Sequence, residues 1–248
     1  MIAQLRSELR KMRTTGTNLG LLLGMVTLVL LEVLISGLSM ESYGLALPEN
    51  QREILATGST GGLLAALIGI MAMTSEFRHG TIRSTFVVTP LRGRVLATKV
   101  LASLLVGILF GILGEALAFG TGLAVLRGRG VELLLTGGDI RLLFFGTVAM
   151  SALWAALGVG VGALVRNQVF ALIGLLSWIL MVEILLFQFV PEAARYAPGA
   201  AGTAMTGDTA GDSSVHLLTA PTGALLLAVY AAALVVAGGL VTQRRDVT

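Results

Sequence analysis

Six stretches of the chain stay apolar for roughly the 20 residues that a helix needs to cross a ~30 Å hydrocarbon core. They are 19–38, 57–74, 98–125, 141–165, 168–190 and 221–241, each bounded by charged or turn-forming residues. Ahead of the first, Ile2, Leu5, Leu9 and Met12 share one helical arc with Arg6 and Arg10 beside it, a pattern suited to an amphipathic helix lying in the membrane interface. The alternative is a basic leader without structure that only sets orientation. The pattern predicts an all-α polytopic membrane protein with six transmembrane helices in a single domain over 1–248. Its parts are an amphipathic leader at 1–18, a six-span bundle at 19–241 and a tail at 242–248.

Composition removes the soluble alternative. Hydrophobic residues make up 55% of the chain, only 12% is charged, and mean hydropathy is +0.89. A soluble domain carries about 25% charged residues to solvate its exterior, whereas lipid leaves helix exteriors apolar. The net charge of +3 does not point to nucleic acid, because the basic residues are spread among short segments flanking apolar runs. Of the 17 Lys and Arg residues, twelve fall in the segments that an even number of spans places on the side of both termini, and five on the other. Arg127 and Arg129 run against the bias locally. The positive-inside rule therefore predicts cytosolic termini. The run from Gly16 to Leu38 is longer than a signal peptide's apolar region and no small-residue cleavage pattern follows it, so it reads as a retained span.

Little in the chain carries chemistry. Cysteine is absent, which removes disulfides, thiolate metal sites and thiol nucleophiles. Neither Lys11 nor Lys99 follows a glycine, so the Gly-x-x-x-x-Gly-Lys-Ser/Thr phosphate loop is missing. His79 and His216 are the only histidines, both outside the spans, and no His-Glu-x-x-His occurs. Gly137-Gly138-Asp139 lacks a partner aspartate within the predicted spans, which argues against intramembrane proteolysis. The chain is expected not to be an enzyme. Glycine pairs four apart (Gly20 and Gly24, Gly107 and Gly111, Gly158 and Gly162) predict close helix packing. The connection 191–220, rich in Ala, Gly, Thr and Asp, is expected to be partly helical or mobile.

The densest polar cluster follows the second span: Glu76, Phe77, Arg78, His79, Gly80, Thr81, Ile82 and Arg83. Thr89 and Pro90 can then start a helix that leads through Arg92, Arg94 and Lys99 into the third span. A loop that only sets topology needs positive charge alone. An acidic and an aromatic residue with a glycine break suit a docking surface better. This cluster resembles that of bacterial type 2 ABC-transporter permeases, in which an acidic residue and an aromatic precede Gly-Thr-hydrophobic-Arg, a Pro, basic residues and a Lys entering the next span. The corresponding residues here are Glu76-Phe77, Gly80-Thr81-Ile82-Arg83, Pro90, Arg92, Arg94 and Lys99. The resemblance implies a cytosolic coupling helix between spans 2 and 3, formed by the stretch from Glu76 and seated in a separate ABC ATPase subunit that would hold ATP and Mg. It also implies a dimer with a second permease copy or homologue, and residence in a bacterial plasma membrane. No cofactor is expected in this chain itself.

Glu32, Glu115 and Glu183 lie one each in the first, third and fifth spans, without basic residues in those apolar stretches. Carboxylates in lipid are expensive, so each is expected to face protein or water, or to be protonated. One reading gives them a shared polar cavity near an outer gate. The other has each satisfied by hydroxyls or backbone of a neighbouring helix. The expected function is the permease of an ABC export system. The alternatives are a proton-coupled secondary transporter that uses these glutamates, and a membrane scaffold that transports nothing.

Overall fold

The computed structural model describes residues 2–81, 92–207 and 216–244, and among them there is helix and connection but no strand. An amphipathic α1 (Ile2–Thr14) turns at Thr15 into α2 (Gly16–Ser39). Two short helices, α3 (Ser42–Leu45) and α4 (Pro48–Ala56), lead through a 3-10 turn (Thr57–Ser59) into α5 (Thr60–Arg78). The third and fourth long helices are α6 (Arg92–Gly128) and α7 (Gly137–Val165). Next come α8 (Gln168–Ser177), a π-helical stretch (Trp178–Val182) and α9 (Glu183–Phe189). The short α10 (Pro191–Ala194) and α11 (Pro198–Met205) precede α12 (Ala220–Arg244).

Among the described residues, six helical paths are long and apolar enough to cross a membrane: Gly16–Ser39, Pro48–Arg78, Gly93–Gly128, Gly137–Val165, Gln168–Phe189 and Ala220–Thr242. The chain is an all-α multi-pass membrane protein. Two paths run past the apolar stretches that predict them. The second begins at Pro48, because proline is suited to the first turn and the polar α4 buries Gln51, Ile54 and Leu55. The third belongs to α6, whose 37 residues span ~55 Å at 1.5 Å per residue and so project beyond a ~30 Å core.

The second and fourth paths form the centre, with 67% of their apolar windows buried, against 17% for the first, fifth and sixth. Glycine explains how close the central helices come. A Cβ on Gly69 would strike the Ala155 carbonyl, and one on Gly158 would strike the Ala66 carbonyl, so α5 and α7 meet backbone to backbone. Gly162 does the same against Ile70, while Gly107 and Gly111 seat α6 on Ser151 and Val148. Gly20 and Gly24 have open space around them instead. That pair leaves a smooth outward face on the first span rather than packing it.

On the face opposite α1, polar side chains tie the short helices down. Buried Gln51 donates to Leu45 O and Glu132 O and accepts from Leu134 N. Arg52 donates to the carbonyls of Thr206 and Gly207 and pairs with Asp139. Asp139 also completes a capping box with Thr136 at the start of α7. The connection 191–220 is thus helical at α10 and α11; residues 208–215 lie outside the described residues.

Candidate functional site

The site is a knot of four charges on the face where α1 lies. Lys99, one turn inside the apolar run of α6, is 1% exposed. Its ammonium donates to Glu8 Oε2 (2.9 Å), Glu76 Oε1 (2.8 Å) and Ala72 O (2.9 Å), which satisfies all three protons. Lys11 of α1 closes the ring, donating to Glu8 Oε1 at 2.7 Å and Glu76 Oε1 at 3.0 Å. Three elements are thereby stapled together: the interfacial helix, the end of α5 and the start of α6. Burial pushes the Glu8 carboxyl up, but the charge of Lys99 and the hydrogen bonds from Lys11 and Lys99 outweigh it and hold Glu8 below its ordinary value. Burial likewise pulls Lys11 down, and its bonds to Glu8 and Glu76 raise it above the ordinary lysine value.

The geometry redistributes the residues that sequence assigns to docking. Glu76, Phe77 and Arg78 belong to α5 itself rather than to a separate helix, since nothing breaks the helix before Gly80, whose φ of 66° ends it. Glu76 is 6% exposed and turned inward on the lysines. Half-buried Phe77 packs against Met73, Leu96, Val159 and Ala163, with the Arg166 guanidinium 5.3 Å from its ring centre. The exposed members are Arg78, His79, Gly80 and Thr81. Arg78 reaches Gln168 at 3.4 Å, and His79 Nδ1 lies 2.8 Å from Ser75 O. Ile82, Arg83 and Pro90, and with them the remainder of the expected coupling helix, lie outside the described residues.

The three intramembrane glutamates do not share one set of partners. Half-buried Glu32 accepts from Thr60 at 2.8 Å. Glu115 is fully buried on the other flank of the same turn, so close to Gly58 that a Cβ there would collide with its carboxylate. Neither Glu115 oxygen has a hydrogen-bond partner among the described residues, although the Thr147 hydroxyl of α7 interacts with the carboxyl electrostatically. Glu183 stands apart under α11, accepting from Gly199 N and Trp178 Nε1, both at 2.9 Å. Trp178 and Glu183 are five residues apart, and the wider π turn between them brings both to one side.

Sequence reasoning passes over Glu8 and Lys11 and treats Lys99 only as the entry to a span. One signal was available. A lysine a turn inside an apolar helix is buried only when carboxylates meet it, and Glu76 is the nearest carboxylate preceding it in the chain. The pairing of Glu8 with that site needs the fold, because 91 residues separate it from Lys99. No known protein-family model matches the chain, and no curated protein matches it.

Proposed function

We propose that this chain is the permease subunit of an ATP-driven export system, working as a dimer beside separate ABC ATPase subunits on the face that carries α1. On this reading that face is cytosolic and the membrane is a bacterial plasma membrane. The motif resemblance from Glu76 to Lys99 supplies the ATPase and the direction of transport. The observation that carries the proposal further is the buried charge knot. A push on the exposed end of α5 reaches α6 and the interfacial helix through the buried Lys99 and the two carboxylates it meets, with half-exposed Lys11 reinforcing the link, so the three elements tilt as one body. Arg78, His79 and Thr81 offer the exposed surface for contact, while Glu76 and Phe77 transmit load behind it. The chain itself supplies no phosphate loop, so the work of ATP enters only by such a contact.

Purification of the tagged chain from its native membrane, with the co-purifying proteins identified, tests this reading. An ABC ATPase is expected, and a His79→Glu/Thr81→Glu variant is expected to lose it while keeping the fold. Absence of any ATPase, with transport that persists after ATP depletion and stops when the proton gradient collapses, would replace the proposal with proton-coupled transport. Glu115 favours that second reading, being a buried carboxyl group with no hydrogen-bond partner at either oxygen among the described residues.

A further inference from the structure

Along the seam between α6 and α7, the hydroxyls of Ser103, Thr147 and Ser151 and both oxygens of Glu115 are buried with no hydrogen-bond partner among the described residues. Ser103, Gly107, Gly111 and Glu115 recur every four residues on α6 and so share one face of it, and the two glycines bring that face onto the backbone of Ser151 and Val148. Buried polar groups without partners are rare, and a cluster of them marks a place where something else supplies the partner. An unmet hydroxyl is a modest cost. A carboxylate taken out of water without compensation is not tolerated, and the group is neutralised instead. Glu115, with no exposed surface, is the member of the seam that decides what the site holds.

The titratable groups on the elements packed around it do not do the neutralising. Glu32, on α2, is itself an acid and accepts from Thr60. On α4, Glu49 and Glu53 are exposed, and Arg52 is committed to Asp139 and the carbonyls of Thr206 and Gly207. Glu76 and Arg78 stand at the far end of α5. On α7, Asp139 caps the helix start and Arg141 donates to Gly137 O. On α6 itself, Lys99 and Arg127 lie ~24 Å and ~18 Å along the helix from Glu115 at 1.5 Å per residue. A hard metal ion takes about six oxygens around it. Here the backbone of the 3-10 turn is pressed onto the carboxyl instead: a Cβ on Gly58 would collide with the carboxylate and lie 2.6 Å from Glu115 Cα, and one on Gly114 would lie 2.7 Å from Gly58 O. A proton is the cation that needs neither a coordination shell nor a cavity.

We propose that Glu115 is an occluded proton-binding site, which holds its proton while the turn Thr57–Ser59 lies on it and gives that proton to water when the turn moves off α6. The turn is suited to gating, because it interrupts the helical path Pro48–Arg78 in its interior, where a 3-10 stretch serves as a hinge. In the release step the O–H bond of the carboxylic acid breaks, an entering water takes the proton, and the carboxylate left behind is solvated by the water that follows. Occupancy of the site does not depend on whether an ATPase or a proton gradient drives the protein, so co-purification tests the energy source and leaves this site to its own experiment.

The experiment records infrared spectra of the full chain in lipid vesicles at neutral pH. The difference between the parent and Glu115→Gln, which keeps the shape and removes the acid, is expected to contain a carboxylic-acid carbonyl band, and transfer to D2O is expected to shift that band slowly. Two substitutions open the gate from opposite sides. Gly58→Ala wedges the turn away from the carboxylate, and Gly114→Ala pushes on the Gly58 carbonyl from α6. Each is expected to speed the shift about tenfold, since exchange follows the population of the open form. Gly120→Ala, in open space on the same helix, should leave the rate unchanged. Thermal unfolding identifies a wedge that fails to fold, and the parent and Glu115→Gln spectra decide occupancy without either wedge. Loss of a carboxylate band instead of an acid band in Glu115→Gln, an acid band that shifts at once in the parent, or the parent's rate in a folded wedge variant would each overturn the proposal.

Discussion

Lys99 sits where a lysine is least expected, within apolar sequence and shielded from water, and it is tolerated because two carboxylates and a carbonyl receive its protons. Removing one partner of such a set leaves an uncompensated buried charge, a loss of about 3–5 kcal/mol. Lys99→Met is therefore expected to lower unfolding stability in detergent by about that amount. Glu76→Gln should cost less, since Glu8 still faces Lys99, and the double variant should be less destabilised than the two single losses added together. Additivity in that cycle would mean that the two side chains do not share one network. Glu115 presents the opposite case, a carboxyl group with no hydrogen-bond partner at either oxygen among the described residues. Glu115→Gln keeps the shape while removing the ionisable group, so stability should change little. Transport rates measured against pH then report whether that group is used: a lost pH dependence assigns it to the pathway, and an unaltered profile assigns it to packing.

Among the elements, α1 depends most on charge, being held to the bundle by Glu8 and Lys11 together with the small apolar contact of Met12. Glu8 titrates below its ordinary 4.5, so its contribution is complete above that value and fades as pH falls through the depressed one. Lys11 titrates above its ordinary 10.5, so its contribution is complete below that value and fades as pH rises through the elevated one. Spin labels on cysteines placed at the exposed positions Arg13 and Arg94 should keep one distance between those limits and separate under acid. A distance that lengthens between pH 6 and 8 would refute charge-held docking. The α5–α7 contact rests on shape instead. Gly158→Val should separate the two helices and destabilise the bundle, while Gly20→Val on the outward face of α2 should leave monomer stability unchanged, as thermal unfolding in detergent would reveal.

For the whole molecule, five helical paths long and apolar enough to cross a membrane separate Thr15 from Gly207, which puts the two on opposite sides. A cysteine at Thr15 or Arg245 is expected to react with impermeant maleimide only from the cytosol, and one at Gly207 only from outside. Labelling of Arg245→Cys from outside would make the span number odd and reverse the reading of every loop after the error. How much of this was legible beforehand follows from the kind of force involved. Six crossings, the amphipathic leader and the all-α class depend on local sequence, because bilayer thickness and the need to satisfy each backbone group within its own helix act on one segment at a time. The glycine pairs at 107/111 and 158/162 were legible as packing sites for the same reason, although their partners were not. What only the tertiary structure decided is the direction each polar group faces. Glu76 looks like a surface residue in sequence and is turned inward by two lysines, one of them 65 residues away in the chain; Glu32 and Glu115 come to flank a single turn while Glu183 goes to α11. A buried charge is stabilised by whichever opposite charge or donor the fold brings within about 3 Å, and sequence spacing does not encode that distance between segments that meet only after the helices have packed.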